Sequence, residues 1–393
     1  MELTIKQQQG LDIAIQRYKN KEKYTVISGY AGTGKSTLIQ FIVSALGQYG
    51  VNPDIDVCFA AYTGKATQVL ATKGNKNVST LHKLLYDSYP RPDGTFIRIP
   101  KQELDYHIIV VDEVSMAPKT LMDLLFKHNC YVICLGDPFQ LPPVDKNEDN
   151  GLLAKPHIFL DEIMRQAAES EIIQLTMKIR NYEPIDDFKG KEVQVLPANS
   201  LNTGMLTWAD QILCGTNKTR ISINNQMRTL LNMDAFPQDG DKVICLRNYW
   251  GLLSEDDNDL INGTIGFLKN SFQTEFHIPR WIGGGIIPVL TSEFITDTND
   301  KFSSLDMDLH MIRTGERGLD KSLIYKLSKN PRTMHLVPLE FTYGYCITCW
   351  KAQGSEWDKV LVLEESFPFD KKTHAKFLYT AATRASKKLV LLR

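Results

Sequence analysis

Eight residues, Gly29-Tyr30-Ala31-Gly32-Thr33-Gly34-Lys35-Ser36, follow the β-branched run Tyr24 to Ser28 and lead into the amphipathic stretch Thr37 to Val43. A strand that feeds a glycine turn at the start of a helix gathers backbone N–H groups and the positive helix end at one point, which suits phosphate. Gly29, Gly32 and Gly34 let the main chain wrap the β-phosphate closely. Lys35 reaches the β and γ oxygens, and Ser36 offers a hydroxyl to Mg²⁺. Ala31, Thr33 and Thr37 complete the expected nucleotide contacts. The ligand is ATP or GTP; what its hydrolysis drives must be read elsewhere.

A second chemical pair, Asp112-Glu113, ends the apolar run Ile108 to Val111. Opposite a phosphate loop, Asp112 would hold Mg²⁺ through water and Glu113 would polarise the attacking water. Cys346-Ile347-Thr348-Cys349 has CxxC spacing, but it lacks a second pair and lies in a strand-like run where residues three apart face opposite sides. It reads as buried thiol, not zinc. The seven cysteines sit mostly in apolar runs, which fits a reduced interior.

These groups need a scaffold, and the pattern supplies α/β alternation. Strand-like runs at Tyr24–Ser28, Val57–Tyr62, Ile108–Val111 and Tyr131–Leu135 each end in a polar motif, the placement expected at the carboxyl edge of a parallel sheet. The segment 89–100, with prolines and Asp93-Gly94, reads as a β-hairpin excursion. Further on, Glu169–Arg180 and Lys218–Leu231 read as helices around a strand at Gln211–Gly215. From about Asp241 to 335 helical periodicity gives way to short β-like runs. Strands at Leu336–Phe341, Val360–Leu363 and Lys388–Leu392, with a helix at Ala375–Ala385, complete a second α/β unit. With 45 Lys plus Arg against 46 Asp plus Glu among 393 residues, overall charge selects no partner, so a polyanion must be held locally. No apolar stretch approaches a membrane span and the N-terminus carries no signal-like pattern, so a cytoplasmic chain without membrane partners is expected, in a bacterium or a phage-infected host.

The segments Val110-Val111-Asp112-Glu113-Val114-Ser115-Met116 and Gly136 to Val144 closely resemble motifs II and III of superfamily 1 helicases. The rest of the series follows in the family's order. Leu3-Thr4 to Gln7 resembles the Q motif, Ala61 to Ala66 motif Ia, Thr80-Leu81-His82 motif Ib and Leu160 to Arg165 motif IV. Thr348 to Glu356 resembles motif V and Tyr379 to Ala385 motif VI. The spellings are most similar to the RecD/Dda-like branch, whose members move 5′ to 3′ on single-stranded DNA. The resemblance implies that Gln7 reads the adenine edge, that Gln140 senses the γ-phosphate, and that Gly354 and Glu356 hold the nucleotide, Glu356 at the ribose. Arg165 and Arg384 would be arginine fingers that neutralise charge on the γ-phosphoryl group.

A motor that steps over any sequence must grip the backbone without reading bases. Thr63, Lys65, Thr80, His82, Asn217, Thr348 and Lys351 are the corresponding candidates, although Thr63 and Thr80 read equally well as helix N-caps and His82 as a packed or solvated histidine. Trp350 stands where relatives usually carry His; it reads either as a base-stacking platform or as core packing. Phe96, near the tip of the hairpin, reads either as a strand-splitting pin or as packing within the hairpin.

The expected fold is thus α/β, with two RecA-like P-loop parallel-sheet domains and a small β-rich insertion in each. Core 1 spans 1–155 with the pin at about 86–103; core 2 spans 156–240 plus 336–393; an SH3-like insertion spans 241–335. The expected activity is that of an ATP-dependent DNA helicase using Mg²⁺, acting as a monomer on single-stranded DNA and the duplex fork. Single-strand-binding, replication or recombination proteins are further expected partners. An RNA helicase of the same superfamily, or an ATPase that switches nucleic-acid affinity without unwinding, are the alternatives.

Overall fold

The computed structural model describes residues 3–90, 96–142, 148–255, 258–365 and 370–393. Two compact units emerge, one built from 1–86, 100–215 and 349–393, the other from 87–99 and 216–348.

The first unit holds two parallel sheets. In the first, strands run in the order Val78–Thr80, Val57–Ala61, Ile108–Asp112, Tyr131–Gly136, Tyr24–Gly29, Ile158–Leu160, with every neighbouring pair parallel. The central strands are apolar along almost their whole length because helices cover both faces. On one face Leu38, Ile42 and Leu46 pack against Ile27, Val110 and Ile133; on the other Leu81, Leu85, Leu121 and Leu125 pack against Val26, Ile109 and Val132. Ile158–Leu160 pairs with Ile27–Gly29, so this sheet runs past the boundary expected at residue 155. The second sheet sets Gln211–Cys214, Trp357–Leu363, Ala385–Leu392 and Val193–Leu196 side by side, again all parallel.

The helix Lys371–Ala382 crosses back onto this unit, capped by Asp370, whose Oδ1 accepts from Thr373 N at 2.7 Å. It starts and ends earlier than the expected Ala375–Ala385, since Ala385 already opens the last strand.

The second unit is an antiparallel sheet in the order Lys301–Asp308, Ile286–Thr296, Ile265–His277, Lys242–Cys245, Phe341–Tyr343. The helix Asn217–Leu230 joins it, with Asn224 Nδ2 donating to Cys346 O at 2.9 Å and Arg220 Nη1 to Thr342 Oγ1 at 3.0 Å. Residues 216–240 and 336–348 therefore pack with the β-rich segment, beyond the 241–335 expected.

Two expectations for this region need correcting. The strand expected at Leu336–Phe341 is a 3₁₀ turn, Met334–Leu336, followed before Phe341 only by a single-residue bridge of Leu339 to Met307; Pro338 has no N–H to extend it into a ladder. The expected lack of helices also fails, because Leu309–Thr314 and Lys321–Ser328 are helical, each started by an aspartate cap, Asp308 and Asp320. One to two turns carry too few residues for a visible period. The hairpin is present as the paired strands Tyr86–Pro90 and Phe96–Pro100. Its expected Asp93-Gly94 turn lies outside the described residues.

Candidate active site

The phosphate loop connects Tyr24–Gly29 to the helix Lys35–Leu46. Gly34 adopts φ +75°, and a Cβ there would stand 2.4 Å from Gln7 Nε2. A Cβ on Gly29 would meet Leu160 O at 3.0 Å, so the loop lies flush against the neighbouring strand. Lys35 Nζ donates to Gly29 O at 2.8 Å and Tyr30 O at 2.9 Å, while Thr33 Oγ1 donates to Tyr30 O at 2.8 Å. The ammonium is thus held inside the loop's own curve. Ser36 and Thr37 follow in the first turn of the helix, with the Ser36 side chain exposed.

Asp112 ends its strand in the same sheet and Glu113 follows it directly. Glu113 N donates to Asp112 Oδ1 at 2.8 Å, and Glu113 takes φ +50°, a left-handed conformation unusual for a non-glycine residue. Burial pushes the Asp112 carboxyl above its ordinary range, helped by the Glu113 charge and opposed by Lys35. Gln140 Nε2 points to Glu113 Oε1 at 3.5 Å, and its Oε1 has no partner among the described residues.

Gln7 sits at the other side of the loop. Its Oε1 accepts from Thr4 N at 3.0 Å in a capping box, and its Nε2 donates to Thr33 O at 3.2 Å. The amide expected at the adenine edge is therefore already engaged in bracing the loop.

The helix Lys371–Ala382 closes the arrangement through residues that sequence reasoning missed. Tyr379 O–H donates to Asp137 Oδ2 and accepts from Ala31 N–H at 2.9 Å. Thr380 Oγ1 accepts from Leu141 N at 2.9 Å, Gln353 Nε2 donates to Leu141 O at 2.9 Å, and Lys376 Nζ donates to Pro138 O at 2.8 Å. The loop Asp137–Leu141 is thereby clamped from one helix and its neighbour. Tyr379, Thr380 and Gln353 stand inside the quoted motif segments, so a signal existed. Arg180, whose guanidinium carbon lies 3.6 Å from the Tyr30 ring centroid, carried none.

Arg384 is nearly buried, donating from Nε to Thr380 O, from Nη1 to Ser355 O and from Nη2 to Thr383 Oγ1, all at 3.1 Å. Gly354, at φ +79°, lies against Ala66 and Thr63, and Glu356 is exposed beside it. Arg165 opens the short helix Arg165–Ala168; its side chain lies outside the described residues, as does that of Phe96.

Of the backbone-grip candidates, Thr63 and Thr80 are both N-caps, their Oγ1 atoms accepting from Ala66 N and Lys83 N. His82 lies between Tyr62 and Tyr86, with ring centroids at 5.7 and 6.4 Å, an aromatic row the sequence reading did not foresee. Lys65 and Lys351 are half-buried in the same unit. Trp350 is half-buried, 6.3 Å from the buried Phe377 ring. In the other unit Asn217 Oδ1 accepts from Arg220 Nε at 3.1 Å, and Thr348 ends the strand Cys346–Thr348. All seven cysteines are buried free thiols, and no metal-binding cluster of His, Cys, Asp or Glu occurs among the described residues. No described helix is long and apolar enough to cross a membrane.

A phosphate loop and an acidic strand end on one parallel sheet, with a second parallel sheet beside it in the same unit, define a P-loop NTPase with two RecA-like folds. A family model described as an AAA domain matches residues 5–194, and one described as a UvrD-like helicase C-terminal domain matches 343–392. The chain is 27% identical over 397 residues to the ATP-dependent RecD2 DNA helicase of Deinococcus radiodurans, covering 92% of this chain and 46% of that protein. It is 28% identical over 204 residues to the ATP-dependent DNA helicase dda of phage T4, covering 48% of this chain and 46% of the relative. The chain thus spans about half the length of these curated relatives. The crystal structure of a Bacteroides Pif1 helicase in complex with ADP-AlF3 and ssDNA shares the fold, with a TM-score of 0.56 at 17% identity over 100% of this chain and 92% of that one. The chain is thus similar in sequence to superfamily 1 helicases of RecD/Dda type, and it shares its fold with Pif1.

Proposed function

We propose that this chain is an ATP-dependent DNA helicase that moves 5′ to 3′ on single-stranded DNA and opens duplex at a fork. The observation that carries the reading is the pair of hydrogen bonds at the Tyr379 hydroxyl, which tie Ala31 of the phosphate loop to Asp137 of the loop leading to Gln140. Nucleotide contact and the strand-end loops are thereby mechanically one assembly. The names of the relatives, both ATP-dependent DNA helicases, support the substrate class.

Within that assembly Lys35 leaves its carbonyl partners for the β and γ oxygens, and Glu113 orients the attacking water with Gln140 beside it. Ser36 and Asp112 are hard oxygen donors at the loop's helix end and at a neighbouring strand end, a set that fits Mg²⁺. Bound there, the ion would neutralise charge on the phosphate oxygens. Arg384 and Arg165 are assigned the γ-phosphate; Arg384 must exchange a carbonyl for it, which links hydrolysis to a shift of the segment around Ser355. Thr63, Lys65, Thr80, His82, Asn217, Thr348, Trp350 and Lys351 are assigned the DNA backbone and bases, with Phe96 at the fork.

The test is unwinding of forked duplexes with a 5′ or a 3′ tail, alongside ATPase stimulation by DNA and RNA oligonucleotides. Separation with the 5′ tail only, and stimulation by DNA, are expected. Hydrolysis without strand separation from either fork would overturn the helicase reading. Lys35→Ala should abolish hydrolysis while leaving single-strand binding largely intact.

A further inference from the structure

In the second unit the strands Ile265–His277 and Ile286–Thr296 form a long ribbon. Its tip, residues 278–285, turns through three consecutive glycines with positive φ, Gly283, Gly284 and Gly285, a path that side chains with a Cβ adopt poorly. The helix Lys321–Ser328 packs on this tip, and Ile278, Ile282, Ile287, Leu327 and Leu336 make a small core of their own. The tip is therefore a built surface, not a frayed loop end.

What that surface displays is cationic and aromatic. Trp281 is 64% exposed and Tyr325 is 53% exposed. Lys321, Tyr325 and Lys329 fall at successive fourth positions, one line along the helix and the chain leaving it, with Lys329 Nζ 4.1 Å from the Tyr325 ring centroid. Residues 277–287 and 318–337 together carry five Lys or Arg and one carboxylate, Asp320. That carboxylate is occupied in capping, accepting from Ser322 N and Leu323 N. Glu275 and Glu316, the nearest acids in sequence, lie just outside these segments. None of the five cations is ion-paired among the described residues.

Exposed rings among unpaired cations match unstacked bases on a phosphate chain; a duplex would offer the charge but hide the base faces. We propose that the ribbon tip and the helix Lys321–Ser328 form a second contact for single-stranded nucleic acid, with Trp281 stacking on a base and Arg280, Lys326 and Lys329 holding phosphates. The proposal rests on the reading of the chain as acting on nucleic acid, and adds a site outside every motif segment.

The experiment uses the full chain with labelled oligothymidylates of increasing length across a salt series. Trp281→Ala should weaken binding of the longer oligomers roughly 5- to 150-fold, the range of one lost base stack. Lys326→Ala with Lys329→Ala should flatten the log–log salt slope by about 1.4, at roughly 0.7 per single-strand phosphate contact. ATP hydrolysis at saturating short oligomer should stay at the wild-type rate in both variants, since neither touches the nucleotide site. Unchanged affinity and slope in both variants would overturn the proposal, as would blunt duplex competing as well as single strand. Failure of the wild-type chain to bind nucleic acid or to respond to it in hydrolysis would instead sink the proposed function itself.

Discussion

The phenol oxygen of Tyr379 lies 2.5 Å from Asp137 Oδ2, and both residues are almost fully buried. The same oxygen accepts the Ala31 N–H, and Asp137 Oδ1 accepts from Phe139 N at 2.9 Å, one residue before Gln140. A single hydroxyl thus fixes the phosphate loop and the Gln140 loop together. Tyr379→Phe removes it with little change of shape, leaving Asp137 Oδ2 and the Ala31 N–H without this partner, at a cost of about 1–3 kcal/mol. The turnover number for ATP should fall several-fold while KM changes little, because Lys35 and the loop glycines remain. Steady-state kinetics beside a melting curve checks this; reduced melting with wild-type turnover would make the contact purely structural.

Asp137 also predicts a pH dependence. Burial pushes its carboxyl above the ordinary range, and the Lys35 charge and the Tyr379 hydroxyl pull it back. The folded chain therefore holds this proton to higher pH than the unfolded chain, so stability falls as pH rises from the ordinary carboxylate value through the folded one. Asp137→Asn should flatten that fall, and Tyr379→Phe should steepen it by taking away a donor. Melting temperatures of the three proteins between about pH 4 and pH 7 distinguish them, starting from the ordinary aspartate value near 4. Parallel curves would show that Asp137 titrates alike in both states.

Gln7 gives a test of loop bracing against base reading. Gln7→Glu keeps the shape but sets a carboxylate oxygen against Thr33 O in place of an N–H. Affinity for ATP and for GTP should then fall together, by about tenfold for about 1.4 kcal/mol lost from the loop. Loss confined to ATP, measured by competition with a fluorescent nucleotide, would show that the amide turns to read adenine.

The legible parts of this chain were those whose physics is local. The parallel strands could be read because burial on both faces makes Ile108–Val111 and Tyr131–Leu135 apolar without interruption, and the phosphate loop because its glycines answer a local backbone need. Lys321–Ser328 was missed because two turns give no period, though its aspartate cap was in view. The clamp by Tyr379 and Gln353 could not be derived, since each bond joins residues more than two hundred positions apart. Gln7 shows the converse: its motif position pointed to adenine, while its burial against Thr33 follows from how the helix Ile5–Lys19 packs.

Arg228 and Asp241 form a buried ion pair between the helix Asn217–Leu230 and the sheet that follows. Nε and Nη2 of the arginine donate to the two carboxylate oxygens at 2.8 and 3.0 Å, and Tyr345 O–H donates to Oδ1 at 3.1 Å. Nη2 of the guanidinium also donates to Phe236 O, and the group lies over the Tyr343 ring. Removing one partner leaves an uncompensated buried charge, and Asp241→Ala should cost about 3–5 kcal/mol. Arg228→Met alone should fall in the same range. The double variant should recover part of the loss, because no bare charge remains, yet stay below wild type, since Tyr345 O–H, Gln238 N and Phe236 O lose partners. Urea unfolding of the four proteins reads the coupling directly; simple additivity of the two single losses would mean that the pair contributes no interaction of its own.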